Sequence, residues 1–220
     1  MEKVIIFGTG DIAQIAYLYL SEEKKYEVVS FTVDKNYLKN ETLFNLPVVP
    51  FEDIQEKYSP DEYKMFIPLG YSRLNKLREQ KFKEAKEKGY NLISYIHPKA
   101  TVASNVKIGE NCFIFEDNTI QPFVTIEDNC ILWSGNHIGH HSIIKANCFI
   151  SSHVVISGGC EIGENTFIGV NATIRDHIKI GKFNVIGAGS LILTNTKDNS
   201  VYIGEATKPA KITSNMLKGI

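Results

Sequence analysis

Thr125-Ile126-Glu127-Asp128-Asn129-Cys130-Ile131-Leu132-Trp133-Ser134-Gly135-Asn136-His137-Ile138-Gly139-His140-His141-Ser142-Ile143-Ile144 repeats on itself every six residues. Extended both ways, an aliphatic residue stands at every sixth position from Ile96 to Ile192, seventeen in a row. A helix spaces its apolar residues at about 3.6 and a half-buried strand at about 2. A strict period of six fits neither, and describes a chain that turns a corner every six residues. Four residues after each aliphatic comes a second column, from Ala100 to Ser190, small or medium throughout except at Ile178. All four cysteines, at 112, 130, 148 and 160, fall in it, with no Cys-x-x-Cys pair. Buried thiols filling a narrow interior are therefore expected, and no zinc site.

A third period is eighteen. Asn111-Cys112, Asn129-Cys130, Asn147-Cys148 and Asn165-Thr166 recur at that spacing, so three hexapeptides make one coil. The expected object is a triangular prism of short parallel strands, with aliphatic residues stacked inward about 4.8 Å apart. Glycines follow the aliphatic at 109, 139, 163, 169, 181 and 187, where a corner needs positive φ or close approach.

The chain has 220 residues, with 24 Lys+Arg against 25 Asp+Glu. Ordinary globular composition, 43% hydrophobic and 22% charged, argues against disorder. A nucleic-acid binder would carry a basic surplus. No apolar run reaches the ~20 residues of a membrane span, and the short stretch Val4–Phe7 runs into a glycine turn, unlike a signal peptide. The expectation is a cytoplasmic protein without nucleic-acid or membrane partners.

Residues 1–95 read differently. Lys3–Phe7 is a short apolar strand, followed by Gly8-Thr9-Gly10-Asp11 and a helix over 12–23. Tyr26–Val33 is a second strand ending at Asp34, and Lys64–Leu69 a third, closed by Gly70-Tyr71. Leu46–Pro50 leads into a short helix over 51–58, and 72–88 is a charged helix. Alternating strands and helices predict a small parallel α/β sheet. A glycine turn between strand and helix suits phosphate, because free N–H groups and the helix dipole point there; it also serves as a plain tight turn. Gly8-x-Gly10-x-x-Ala13 resembles the dinucleotide fingerprint, though ninety-five residues supply too small a sheet for a complete NAD site. Half a site suits one nucleotide.

The hexapeptide run resembles the left-handed β-helix acyltransferases. Joined to a Rossmann-like domain, it resembles the bacterial nucleotide-amino-sugar N-acetyltransferases and their sialic-acid O-acetyltransferase-like relatives. The resemblance implies a left-handed coil, a nucleotide-sugar domain over 1–95, an acetyl-CoA-binding prism with a C-terminal tail over 96–220, and a homotrimer with acetyl-CoA between neighbouring prisms. It implies that Gly8, Gly10 and Asp34 grip the nucleotide, with Gly70 and Tyr71 in a second phosphate-side loop.

Acetyl transfer to an amine needs a base and an oxyanion donor. Of six histidines, at 97, 137, 140, 141, 153 and 177, three crowd into Asn136–His141. The family carries its base in an aliphatic-Gly-His-acidic motif, which maps here to Ile138-Gly139-His140-His141 and makes His140 the expected base. His141 stands where an acidic residue is usual. Trp133 stands where a sugar-contacting Asn is frequent; Asn136, His137 and His141 are candidates for polar contact with the sugar, and Trp133 for stacking on sugar or base. The family's oxyanion donor, one coil later, maps to the Gly158 N–H. Val170, Gly187 and Ala188 match small residues lining the CoA groove. His137 and His141 are four apart, but that pairing serves helices, and no metal is expected.

The leading expectation is an acetyl-CoA-dependent N-acetyltransferase acting on a nucleotide-linked amino-dideoxy sugar, of the 4-amino-4,6-dideoxyhexose kind, in surface-glycan synthesis such as lipopolysaccharide O-antigen. The rivals are a sugar O-acetyltransferase and a non-catalytic, nucleotide-binding prism. The carrier nucleotide and the ring position of the amine stay open.

Overall fold

A computed structural model of the protein describes residues 1–212 and Met216; the last residues of the expected second domain, 213–215 and 217–220, lie outside the described residues. The chain opens with β1 (Glu2–Phe7), α1 (Asp11–Glu22) and β2 (Tyr26–Val33). A single 3-10 turn, Lys35–Tyr37, follows, then β3 (Thr42–Leu43), β4 (Leu46–Pro50), α2 (Ile54–Lys57), β5 (Lys64–Phe66) and α3 (Lys76–Glu87). The sheet order is β3-β4-β2-β1-β5, parallel except for the β3–β4 hairpin.

β1 shows why the sheet is buried on both faces. Val4 and Ile6 pack with Ala13, Ala16 and Leu20 of α1 and with Phe113, Phe115 and Phe149 further along the chain. Ile5 and Phe7 point the other way, against Ile54, Ala85 and Tyr90. Three expectations are corrected here. Leu46–Pro50 is itself a strand paired with β2, and the helix it leads into is shorter than 51–58, Ile54–Lys57. The strand's prolines disguise it, because Pro normally demotes a run; here they stand second and last, and Val48 and Val49 lie between them beside Phe31 and Thr32. The third strand ends at Phe66, before Pro68. The charged helix starts at Lys76, because Arg73, Leu74 and Asn75 all take left-handed angles (φ 53, 53 and 64).

From Tyr95 to Ile192 the chain is a three-sided parallel β-helix with two-residue strands, each pairing with the strand eighteen residues away, as Thr119 does with His137 and Ile131 with Phe149; a last strand, Val201–Tyr202, pairs with Val185–Ile186. The inward aliphatic column is buried from Ile114 to Ile192, with the small-residue column and all four free cysteines beside it. Ile96, the first of the seventeen, is 39% exposed, because it lies at the open end of the prism. Each fully buried isoleucine contributes roughly 1.5–3 kcal/mol gross.

The corners follow one rule. The third residue after each inward aliphatic, from Asn111 to Gly189, has positive φ. That conformation suits Gly and Asn. The glycines directly after the aliphatic serve close approach instead: a Cβ on Gly139 would lie 2.5 Å from the Gly158 nitrogen.

One prism edge is a ladder of side-chain amides. Asn111 Nδ2 donates to Asn129 (2.8 Å), Asn129 to Asn147 (2.7 Å) and Asn147 to Asn165 (3.4 Å). The ladder docks the α/β sheet: Ile67 N–H donates to Asn111 Oδ1 at 2.8 Å, and Asn165 Nδ2 donates to Glu79 of α3 at 2.9 Å. Arg78 of α3 is fully buried beside it. Its guanidinium donates to the carbonyls of Leu69, Gly70, Asn129, Asn147 and Cys148 and to Asn75 Oδ1. Desolvation pulls its pKa down to about 10, so it stays charged at neutral pH.

Candidate active site

Two loci emerge, one on the prism and one on the α/β sheet. On the prism, residues 139–142 and 157–160 form successive turns of one edge. His140 sits directly above Gly158: a Cβ on Gly158 would lie 2.8 Å from His140 Nε2. The base and donor expected from sequence are therefore brought together. Among the described residues, none accepts the Gly158 N–H. The matching N–H one coil earlier, that of His140, donates to Gln121 Oε1 at 2.9 Å. Free N–H groups at such corners attract side-chain acceptors, and Gly158 brings none of its own.

His141 turns away from Gly158 and onto its neighbour. Its Nδ1 lies 3.1 Å from His140 Nδ1, and its ring stacks on Phe123 with centroids 4.6 Å apart. Sequence reasoning missed Gln121 and Phe123, which lie eighteen to nineteen residues before the histidines. The eighteen-residue period was the signal that could have found them.

The edge formed by 133–136, 151–154, 169–172 and 187–190 is a different one, reached from His140 by crossing the strand His137–Ile138. Val170, Gly187 and Ala188 lie on it. Its first corner residue shrinks from Phe115 and Trp133 to Ser151, Gly169 and Gly187 along the axis, so the edge tapers and leaves room. Trp133 stacks on Phe115 (4.5 Å, 17°), and its Nε1–H is buried without an acceptor. One face of the indole is thereby used within the protein, which leaves the other for the stacking expected from sequence. The expectation for Asn136 is corrected: it is buried, donates to Trp133 O and accepts from Val154 N–H at 2.8 Å. Its amide holds the corner and is not available to a sugar. His137 is half-exposed on the strand between the two edges.

On the α/β sheet, Gly8, Gly10, Asp11, Ile12, Ala13, Pro68, Leu69 and Gly70 line an open groove of about 260 Å³. Gly8 needs to be glycine (φ +106). Gly10 caps α1 with φ −77, and a Cβ there would meet nothing within 4 Å. The space beyond Gly10 is therefore open to a ligand at a helix N-terminus. Arg78, through Leu69 O and Gly70 O, fixes the far wall of this groove to the prism. Asp34 and Tyr71 are not in the groove. Asp34 lines a neighbouring cleft with Tyr37, Phe51 and Lys81, and accepts from Lys81 Nζ at 2.6 Å. Burial lowers the Lys81 pKa, but hydrogen bonds to Asp34 and Glu84 outweigh it and leave the ammonium raised. Tyr71 packs edge-on against Phe149 (5.0 Å) and lies 4.9 Å from Phe167, which makes it part of the docking surface between sheet and prism.

Among the described residues, no three His, Cys, Asp or Glu side chains converge as a metal site, and no helix is long and apolar enough to cross a membrane.

Residues 92–201, half of the 220-residue chain, match the family described as the GMPPB C-terminal domain. The chain belongs to that family. The GMPPB C-terminal domain match spans all six histidines, Gly158 and the tapered edge, and leaves the glycine groove outside it. No curated protein matches the sequence.

Solved structures share the fold across both parts of the chain. PerB from Caulobacter crescentus, in complex with CoA and GDP-perosamine, is 24% identical with a TM-score of 0.82, covering 93% of this chain and 95% of its own. A variant of perosamine N-acetyltransferase from Caulobacter crescentus, also with CoA and GDP-perosamine, is 22% identical with a TM-score of 0.68, over 93% and 94%. The acetyltransferase domain of PglB from Neisseria gonorrhoeae FA1090 is 22% identical with a TM-score of 0.64, over 96% and 100%.

Proposed function

We propose that this protein is an acetyl-CoA-dependent N-acetyltransferase acting on a nucleotide-linked amino-dideoxy sugar. The observation that carries the reading is the His140 ring over Gly158, whose N–H is unclaimed. The acceptor amine attacks the thioester carbonyl, and His140 Nε2 takes its proton. The Gly158 N–H donates to the oxygen that gains charge. The tetrahedral centre then collapses, the C–S bond breaks, and CoA leaves as the thiol once the sulfur is protonated. The bound molecules in PerB and in perosamine N-acetyltransferase support this choice of substrates.

The finer assignments belong to the same proposal. Residues 1–95 form a Rossmann-like domain that takes the nucleotide at Gly8, Gly10 and Gly70, while Asp34 in the neighbouring cleft and Tyr71 on the docking surface stand outside that groove. Residues 96–220 form a left-handed prism that takes acetyl-CoA along Val170, Gly187 and Ala188. The histidine edge and the tapered edge lie on opposite sides of one sheet face. Their use together calls for a homotrimer, in which one copy's His140 faces the tapered edge of the next. The protein works in the cytoplasm, and its product feeds surface-glycan assembly.

The test is CoA-thiol release from acetyl-CoA with a panel of nucleotide-linked 3-amino and 4-amino-6-deoxy sugars. Turnover yielding an alkali-stable amide is expected. An alkali-labile ester would make the protein an O-acetyltransferase, and silence across amine and hydroxyl acceptors would overturn catalysis. His140→Ala is expected to lower kcat by about 10²–10⁴ with KM little changed.

A further inference from the structure

We propose that His141 is a positioning residue that fixes the tautomer of His140. The proposal rests on His140 being the base. The two Nδ1 atoms are 3.1 Å apart, a distance at which one nitrogen donates and the other accepts. A neutral imidazole carries one N–H, and the hydrogen bond made by one nitrogen decides the state of the other. With His141 accepting, His140 bears its proton on Nδ1, and Nε2 presents a lone pair toward the space above Gly158. With His141 donating, His140 would be protonated on Nε2 and could take no proton there.

The reaction separates these two arrangements. Once His140 has taken the amine proton, both its nitrogens are donors. The contact then survives only if His141 accepts. The arrangement in which His141 accepts throughout needs no reorganisation at the moment of transfer, and it is the one we assign.

The surroundings hold His141 in that role. Its backbone is left-handed (φ 57), its N–H donates to Pro122 O at 3.2 Å, and its ring lies on Phe123 at 26°. Among the described residues, no carboxylate pairs with either ring; the one histidine–carboxylate contact is His177 with Asp176. The His140 N–H is already committed to Gln121. The orienting group of this site is thus a neutral acceptor that adds no charge.

The experiment is long-range nitrogen–carbon NMR of the imidazoles in the full chain at pH 8, with steady-state kinetics alongside. Wild-type His140 is expected to show a protonated Nδ1 and an unprotonated Nε2. His141→Phe removes the acceptor and keeps the stacked ring; Phe123 already occupies the equivalent corner one coil earlier with φ 64, so the fold tolerates it. It is expected to shift His140 toward the Nε2–H form and to lower kcat roughly ten- to a hundredfold with KM little changed. His141→Asn, whose side-chain oxygen accepts and whose residue type suits the corner, should restore both the tautomer and most of the rate. Protonated Nε2 in the wild type, or a tautomer indifferent to His141→Phe, overturns the proposal. A correct tautomer in a protein inert toward every acceptor would leave the proposal standing and sink acetyl transfer alone.

Discussion

Gly139 and Gly10 take ordinary backbone angles, so neither is glycine for conformational reasons. Their surroundings separate them. A methyl group on Gly139 would press on the Gly158 nitrogen at 2.5 Å, whereas one on Gly10 would meet open space. Gly139→Ala is therefore expected to cost about 1–3 kcal/mol through overpacking. It should also lower kcat by about 10²-fold, because displacing a catalytic donor by an ångström is that costly. Gly10→Ala should leave Tm unchanged and raise KM for the nucleotide sugar alone. Thermal melts of both variants beside their kinetics check this; a destabilised Gly10→Ala would mean that the groove is a structural turn. The family resemblance points to His140 and Gly158, and the fold puts the one ring over the other residue. Sequence reading could not tell that Asn136 is spent on Trp133 O and Val154 N–H, since an amide that holds a corner and one that holds a ligand look alike in a sequence.

At the scale of elements, the prism was legible almost residue by residue, because every corner repeats the same steric problem and sixteen further positions check any one of them. Ile150 sits mid-column, wholly buried. Ile150→Asp places an unpaired carboxylate where no partner exists, which the coil cannot absorb. Circular dichroism should show an unfolded or aggregated chain, and a soluble variant melting normally would contradict the core assignment. The α/β part was less legible. β4 hid behind Pro47 and Pro50, and α3 reads as a solvated charged helix although it buries Arg78 and Lys81. Arg78 finds its partners from Leu69 to Cys148, so only the folded chain reveals them.

For the whole molecule, separate edges make a clear prediction. Ala188→Trp should block the exposed tapered edge, and His140→Ala should remove the proposed base, each cutting turnover steeply by itself. Refolding the two variants together is expected to recover activity, because some interfaces then pair one intact edge of each kind. No recovery would place the site within a single copy. Acid should loosen the junction between sheet and prism. Burial pushes the carboxyls of Glu79 and Glu116 up, but hydrogen bonds from Lys83 and Asn165 to Glu79, and from Ser134 and Tyr19 to Glu116, hold both below the usual carboxylate range. A depressed folded pKa gives stability that is present above the unfolded value and lost as pH falls through the folded one. The single tryptophan, Trp133, adjoins Ser134, so its fluorescence should report the loss below about pH 4.5, and Glu116→Gln should flatten the response. The eighteen-residue coil has a consequence for how such a chain can change length in descent. Losing six residues between His140 and Gly158 would rotate everything downstream by one side of the prism and leave the base facing a different edge. Only whole turns can be gained or lost without re-addressing every later residue, so the molecule evolves its length in quanta.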